Sequence, residues 1–278
     1  MMNAIHIDWT RPSMTALKED FDLLTMVLSA LKWREKNGEI HLITDTLGKQ
    51  YYKETGLDIL WESVSDELKF IPQSINPHVF WAAGKIFALK SQKAPIAVLD
   101  TDFIVWEKLP FEKYSDVSVI HFEDLYGDIY PDADYFKMRD GYSFGNLDWN
   151  IRASNTAFYV IKNNDFIKFY TDEAIRFMEN AITADEPLKH MVFAEQRLFS
   201  MCAASLGIKI SDLSDLDTLF GENFVFTHIW GMKQQMRDND ILRHDFCKKC
   251  MRRIRKDFPW MIDVLKNIPE LDNGYFED

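Results

Sequence analysis

At 278 residues the chain has room for one large α/β domain or two small ones. Its 47% apolar content and eight Trp supply a large core, and a net charge of -12 argues against nucleic acid as the main partner. No segment pairs a basic start with an apolar run as a secretory signal does, and no apolar run approaches the roughly 20 residues that span a bilayer.

Residues 4–8 read as a first strand. Thr10, Pro12 and Ser13 can then start a helix. Met14, Leu17, Phe21, Leu24, Leu28 and Leu31 recur at helical spacing and form one apolar stripe. Asn37 and Gly38 end that helix, and residues 39–44 read as a second strand. A β-α-β unit of this kind crosses over right-handed. The loop after the first strand lacks the Gly-x-Gly-x-x-Gly of dinucleotide sites. Trp9 in that loop either stacks on a nucleobase or packs under the first helix.

Residues 49–54 predict a short helix closed by Gly56, and residues 68–71 a third strand. Pro77 opens a helix over 78–90, with Phe80, Ile86, Phe87 and Leu89 inward. Lys85 on that helix is either solvated or reaches a phosphate or sugar. Residues 96–99 form a short apolar run with β-branched residues, which reads as a strand buried on both faces of a parallel sheet. Ligands of such sheets bind at the carboxyl ends of the strands, and there stand Asp100, Thr101 and Asp102. Alternate residues of extended chain point the same way, so both carboxylates can face one hard divalent cation. The competing reading is a polar strand exit.

Residues 117–122 predict another strand. Residues 123–150 are irregular, with Tyr126, Tyr130, Tyr135, Tyr142, Phe144 and Trp149 among Asp and Gly. A long loop in a compact domain is functional or disordered, and these aromatics indicate order. They either face a sugar or pack on one another. Residues 153–161 return to strand with Asn155 near its start; helices follow over 165–181 and 187–206, the second carrying Glu195 and Gln196. Residues 208–210 and 224–227 are the last strands, and Lys233 opens a long helix. Cys202, Cys247 and Cys250 fit a reducing compartment; the Cys247–Cys250 spacing lacks a second ligand pair and reads as structural.

The ordered set of Asp100-Thr101-Asp102, Asn155-Thr-Ala-Phe158, Glu195-Gln196 and His228-Ile-Trp-Gly231-Met-Lys233 resembles GT-A-fold glycosyltransferases, nearest to glycosyltransferase family 8 and the related capsular-polysaccharide and family 32 enzymes. The resemblance covers roughly the first 235 residues. It implies an α/β fold with a mostly parallel central sheet flanked by helices over 1–235; residues 236–278, beyond the resemblance, read from the chain itself as a C-terminal helical appendage packed on the same domain. It implies Mn²⁺ or Mg²⁺ held by Asp100, Asp102 and His228, on which the diphosphate of a nucleotide sugar sits. Gly231 and Lys233 would meet the phosphates, with Trp9, Lys85 and Thr101 also at the donor. Asn155, Glu195 and Gln196 would stand near the transferred sugar and the acceptor. Three positions depart from family 8: Lys233 comes one residue early, Ala157 replaces a Gly, and Glu195 stands where Asp is usual.

The residue types fit that chemistry by themselves. A cation stabilises a diphosphate leaving group as a Lewis acid, and a Lys adds to it. The imidazole favours Mn²⁺ over Mg²⁺. Glu195 and Gln196 can stabilise an oxocarbenium-like sugar, and Glu195 or Asp148 would serve as base if the reaction inverts; the resemblance favours a UDP-sugar, retention and a role in surface-polysaccharide synthesis. His6, His41, His121, His190 and His244 read as structural. Arg243, Lys248, Lys249, Arg252, Arg253, Arg255 and Lys256, interleaved with apolar residues over 243–261, form a basic amphipathic segment suited to an anionic membrane surface or to covering the sheet edge. A cytoplasmic protein at the inner face of a membrane, with a glycan or lipid-linked acceptor, is expected. Two other readings stay open: a haloacid-dehalogenase-like phosphatase with Asp100 as nucleophile, and a non-catalytic sugar-nucleotide-binding protein.

Overall fold

The computed structural model describes residues 1–11, 18–182, 186–221, 225–271 and 274–276. The expected helix start at Thr10–Ser13 and the stripe residues Met14 and Leu17 fall largely outside them. The strands are β1 (Ala4–Asp8), β2 (Ile40–Thr44), β3 (Val64–Ser65), β4 (Ile96–Leu99), β5 (Phe103–Val105), β6 (Val117–Val119), β7 (Phe122–Glu123), β8 (Ala153–Ser154), β9 (Phe158–Ile161), β10 (Ile210–Asp212) and β11 (Phe226–His228). The helices are α1 (Asp20–Lys36), α2 (Thr46–Glu54), α3 (Ala83–Lys90), α4 (Asn164–Asn180), α5 (Pro187–Val192), α6 (Leu198–Ser205), α7 (Leu216–Phe220), α8 (Lys233–Asp238), α9 (Asp240–Asp257) and α10 (Ile262–Leu265).

β1 and β4 carry apolar side chains on both faces, so they sit where helices cover both faces of a sheet. Seven strands form that sheet in the order β10-β6-β9-β4-β1-β2-β3, and only β9 runs antiparallel to its neighbours. This is the expected α/β architecture. One face packs on α1, through Phe21, Leu24, Leu28 and Leu31, and α9 packs in turn on α1, adding Cys247, Met251 and Ile254 to the same core. The other packs on α3, α4 and α6, through Ile86, Phe166, Phe177 and Phe199.

Several expected elements differ, each for a local reason. Residues 68–71 are not a strand: the place beside β2 goes to Val64–Ser65, and residues 67–70 form a 3₁₀ turn in which Leu68 is buried and Phe70 is 74% exposed. α3 starts later than 78 because Asn76 captures the amides of His78 and Phe80 in turns. The strand expected over 117–122 ends at Val119 and resumes as β7. The strand expected over 153–161 is interrupted at 155–157, so two short ladders replace one long one. The amides of Gly207 and Ile208 cap α6, with Gly207 at φ 67°, so the next strand begins only at Ile210. The helix from Lys233 breaks at Asn239, whose side chain caps α9.

The long loop over 123–150 is mostly packed by its own aromatics. Trp149 stacks on Phe193 at 5.3 Å, and Phe144 and Tyr142 pack against that cluster. The guanidinium of buried Arg197 donates to the carbonyls of Tyr130, Pro131 and Trp149 and so ties the interior of the loop to its far end.

Candidate functional site

β4 delivers Asp100 and Asp102 to the carboxyl end of the sheet, and the chain turns there into β5. β11 pairs with β5 antiparallel, with His228 opposite Phe103. That register carries the imidazole to the two carboxylates. One ligand atom from each of Asp100, Asp102 and His228 lies within 4.8 Å of the others. His228 Nε2 is 3.8 Å from Asp102 Oδ1. Burial pulls the His228 imidazole down to about 4, against the attraction of Asp102, so near neutral pH it offers a lone pair. Two carboxylates and one neutral imidazole make a donor set that fits a divalent cation with open positions.

Two lysines tie these carboxylates to others. Lys85 Nζ is 2.5 Å from Asp100 Oδ1 and 2.6 Å from Glu195 Oε1, and also donates to the Thr156 carbonyl at 3.3 Å. Lys233 Nζ lies 2.9 Å from Asp102 Oδ2 and 2.9 Å from Asp22 Oδ1. Burial raises the Asp100 carboxyl to about 7, although Lys85 pulls it down. Burial is the largest single influence on Asp102 and opposes its ionisation, but Lys233, His228 and Lys85 together outweigh it and hold that group below its usual value.

All of these residues but Asp22 line a cleft of about 510 Å³. Its far wall holds Asn155, Glu195 and Gln196. Asn155 donates to Glu123 at 2.8 Å, its carbonyl oxygen accepts from the amide of Ala157, and Tyr130 donates to Gln196 at 2.5 Å. Glu195 and Gln196 lie in a single π-helical turn, Phe193–Arg197, between α5 and α6. That extra residue per turn is a frequent mark of functional sites. Thr156 Oγ1 donates to Glu195 Oε1 at 2.9 Å, the oxygen that Lys85 also holds, and Tyr170 donates to the Glu195 backbone carbonyl at 2.8 Å, so both the carboxylate and the turn that carries it are fixed.

Trp9 lies in an adjoining pocket of about 210 Å³ with Asp8, Arg11 and Trp81, and this pocket shares Ile7, Trp81, Ala82 and Lys85 with the cleft. Gly84 allows it: a Cβ there would stand 2.8 Å from Trp9 Cβ. Thr101 and Lys233 line the main cleft. Gly231 sits in a 3₁₀ turn outside the lining residues, whereas its neighbour Trp230 is at the rim. Exposed Asp148 caps the turn at Asn150, also outside the lining. Of the loop aromatics, Tyr126 and Tyr130 reach the cleft. Sequence reasoning missed Asp22, Glu123, Thr156 and Trp81. Asp22 in the first turn of a helix carries no signal that a lysine far along the chain will meet it.

His6 is structural, as expected. Trp61 Nε1–H donates to its Nδ1 at 3.1 Å, which leaves the proton on Nε2, 3.0 Å from Ser29 Oγ; Ser29 in turn donates to the Phe103 carbonyl next to Asp102. His190 is buried among Phe80, Phe136 and Phe177. No described helix is long and apolar enough to cross a membrane.

Fold and site together define an α/β protein with a carboxylate–imidazole centre at the carboxyl edge of its sheet. The chain belongs to the family described as DUF6734, a family of unknown function, whose model matches residues 7–266. No curated protein matches it. Among solved structures it is similar to the glycosyltransferase GlyE of Streptococcus pneumoniae TIGR4, at 10% identity and a TM-score of 0.40, over 89% of this chain and 51% of that one. It is similar to the bifunctional glycosyltransferase WbbM, at 8% identity and a TM-score of 0.42, over 76% of this chain and 38% of that one. It is also similar to mouse xyloside xylosyltransferase 1, at 9% identity and a TM-score of 0.40, over 76% of this chain and 84% of that one. The chain thus spans about half of the first and less of the second. Likeness at this level is distant, and the functional reading rests on the chain's own residues.

Proposed function

We propose that this chain is a metal-dependent glycosyltransferase on a GT-A-type fold, moving a sugar from a nucleoside diphosphate sugar to a glycan or lipid-linked acceptor. The observation that carries the reading is the convergence of Asp100, Asp102 and His228 to within 4.8 Å at a deep cleft. Mn²⁺ or Mg²⁺ bound there would neutralise the charge of a diphosphate leaving group. Lys85 and Lys233 stand beside the same carboxylates, ready to donate to phosphate oxygens. The Trp9–Trp81 pocket, continuous with the cleft, suits a flat nucleobase, with a UDP-sugar as the first candidate. Asn155, Glu195 and Gln196 offer the amide and carboxylate groups that bind sugar hydroxyls and steady positive charge on the sugar. Glu195 Oε1 is already engaged by Lys85 and Thr156, which favours the retaining course, in which the leaving phosphate takes the acceptor's proton.

Residues 236–278 are read as an appendage packed on the catalytic unit. Arg243, Lys249 and Arg253 are paired with Asp20, Asp245 and Asp257. Membrane contact would therefore fall to Lys248, Arg252 and Lys256, placing the protein at the inner face of an anionic leaflet, where surface polysaccharide is assembled.

Calorimetric titration with UDP and GDP, with and without Mn²⁺, tests the reading. Manganese-dependent nucleotide binding, followed by sugar transfer, supports it. Hydrolysis of phosphomonoesters that Asp100→Asn abolishes would replace it with the phosphatase reading. Nucleotide binding with no transfer to any acceptor would leave a binding protein.

A further inference from the structure

The pairing of Lys85 and Lys233 has a symmetry beyond simple neutralisation. Each ammonium bridges one carboxylate of the Asp-Asp-His cluster to one outside it: Lys85 joins Asp100 to Glu195 on the π turn, and Lys233 joins Asp102 to Asp22 on α1. Asp102 and Glu195 are largely buried. In such surroundings two like-charged carboxylates meeting at one point repel strongly unless a cation lies between them. The two ammonium groups supply that positive charge from within the chain.

A divalent cation arriving at Asp100, Asp102 and His228 therefore enters a site that already has counter-charge. It meets two ammonium groups within bonding distance of its own ligands and is repelled by them. Asp22 and Glu195 hold each lysine after its partner carboxylate turns to the cation. An incoming diphosphate reverses the balance. It brings negative charge to both cation and lysines, and the ammonium groups gain new acceptors.

We propose that Lys85 and Lys233 are built-in counter-ions of the Asp100–Asp102 pair, in competition with the divalent cation and in league with the diphosphate. The cation alone then binds weakly, and cation and diphosphate bind with strong positive coupling. The inference rests on the metal-dependent reading above. It assigns Asp22 a role as the resting partner of Lys233. Coupling of this kind is reciprocal: whatever factor UDP adds to cation affinity, the cation adds to UDP affinity.

The test is Mn²⁺ binding to the full chain, by calorimetry and by the loss of free Mn²⁺ spin-resonance signal, alone and with saturating UDP. Lys233→Met should tighten binding of Mn²⁺ alone by about tenfold and shrink the factor gained on adding UDP by a similar amount, which is within the usual range of coupling between sites. Lys85→Met should act in the same sense. Asp22→Asn, which removes the resting partner, should weaken binding of Mn²⁺ alone. Thermal unfolding of each variant shows whether it is folded, and three independent variants guard against one that is not. If both lysine variants bind Mn²⁺ alone as the parent does or more weakly, the lysines orient the carboxylates instead and the inference falls, while the glycosyltransferase reading stands. If the parent binds no Mn²⁺ with or without UDP, both fall together.

Discussion

His228 and Phe103 face each other across the antiparallel pair of β5 and β11, and this one register sets the imidazole beside Asp102. A shift by one residue would turn His228 to the opposite face of the ladder. The phenyl ring of Phe103 packs at 5.5 Å from the imidazole and at 5.5 Å from Phe158, so the hydrophobic core beneath the site also fixes the histidine.

Loss of a direct ligand should abolish cation binding without unfolding the chain. Asp102→Asn or His228→Ala should lower Mn²⁺ affinity by about 100-fold or more, since removal of outer partners alone costs about 10- to 100-fold. Calorimetry reads the affinity, and the unfolding midpoint should change little. Retention of parent affinity would remove that residue from the ligand set.

The pocket at Trp9 depends on a close approach of α3. Gly84→Ala puts a methyl group 2.8 Å from Trp9 Cβ. The expected cost is about 1–3 kcal/mol of stability, as for other overpacked sites. Denaturant unfolding measures the cost, and Trp fluorescence on UDP addition reports the pocket. A parent-like variant in both would show that α3 moves aside freely.

Acid should destabilise the fold through its buried histidines. Burial lowers His6 from 6.5 to about 3 and His228 to about 4. The unfolded chain takes up those protons first, so stability falls as pH drops below 6.5. The slope per fully depressed histidine is at most about 1.4 kcal/mol per pH unit, and for His6 it ends near pH 3. Asp100, held up to about 7, works oppositely between 3.8 and 7. The His6 share is read as the difference between the parent and His6→Gln in urea titrations from pH 7 to pH 4. Parallel curves for the two proteins would rule it out.

Arg197 is the pin of the long loop. Arg197→Met removes donors from three carbonyls at once. Leaving such groups without partners costs about 1–3 kcal/mol each where they stay buried. Limited proteolysis should then cut within residues 123–150 well before the rest of the chain. Unchanged resistance would mean that the aromatic cluster of Phe144, Trp149 and Phe193 holds the loop alone.

What the amino-acid order determined by itself is local. The apolar run at 96–99, the two carboxylates after it and the apolar stripe of α1 are each set by neighbours a few residues apart, and each was legible without coordinates. The segment at 68–71 was misread because one buried residue, Leu68, serves a 3₁₀ turn as well as a strand. The pairing of His228 with Phe103, of Lys233 with Asp22 and of Lys85 with both Asp100 and Glu195 was decided only in three dimensions. Contacts between distant segments depend on which strands and helices come to lie side by side, and no short-range spacing encodes that choice. The same holds for the aromatics of 123–150: composition marks them as ordered, but only packing sorts half-buried Trp149 against the core and Tyr126 to the cleft, because a ring has equal reason to bury against protein or to wait for a ligand.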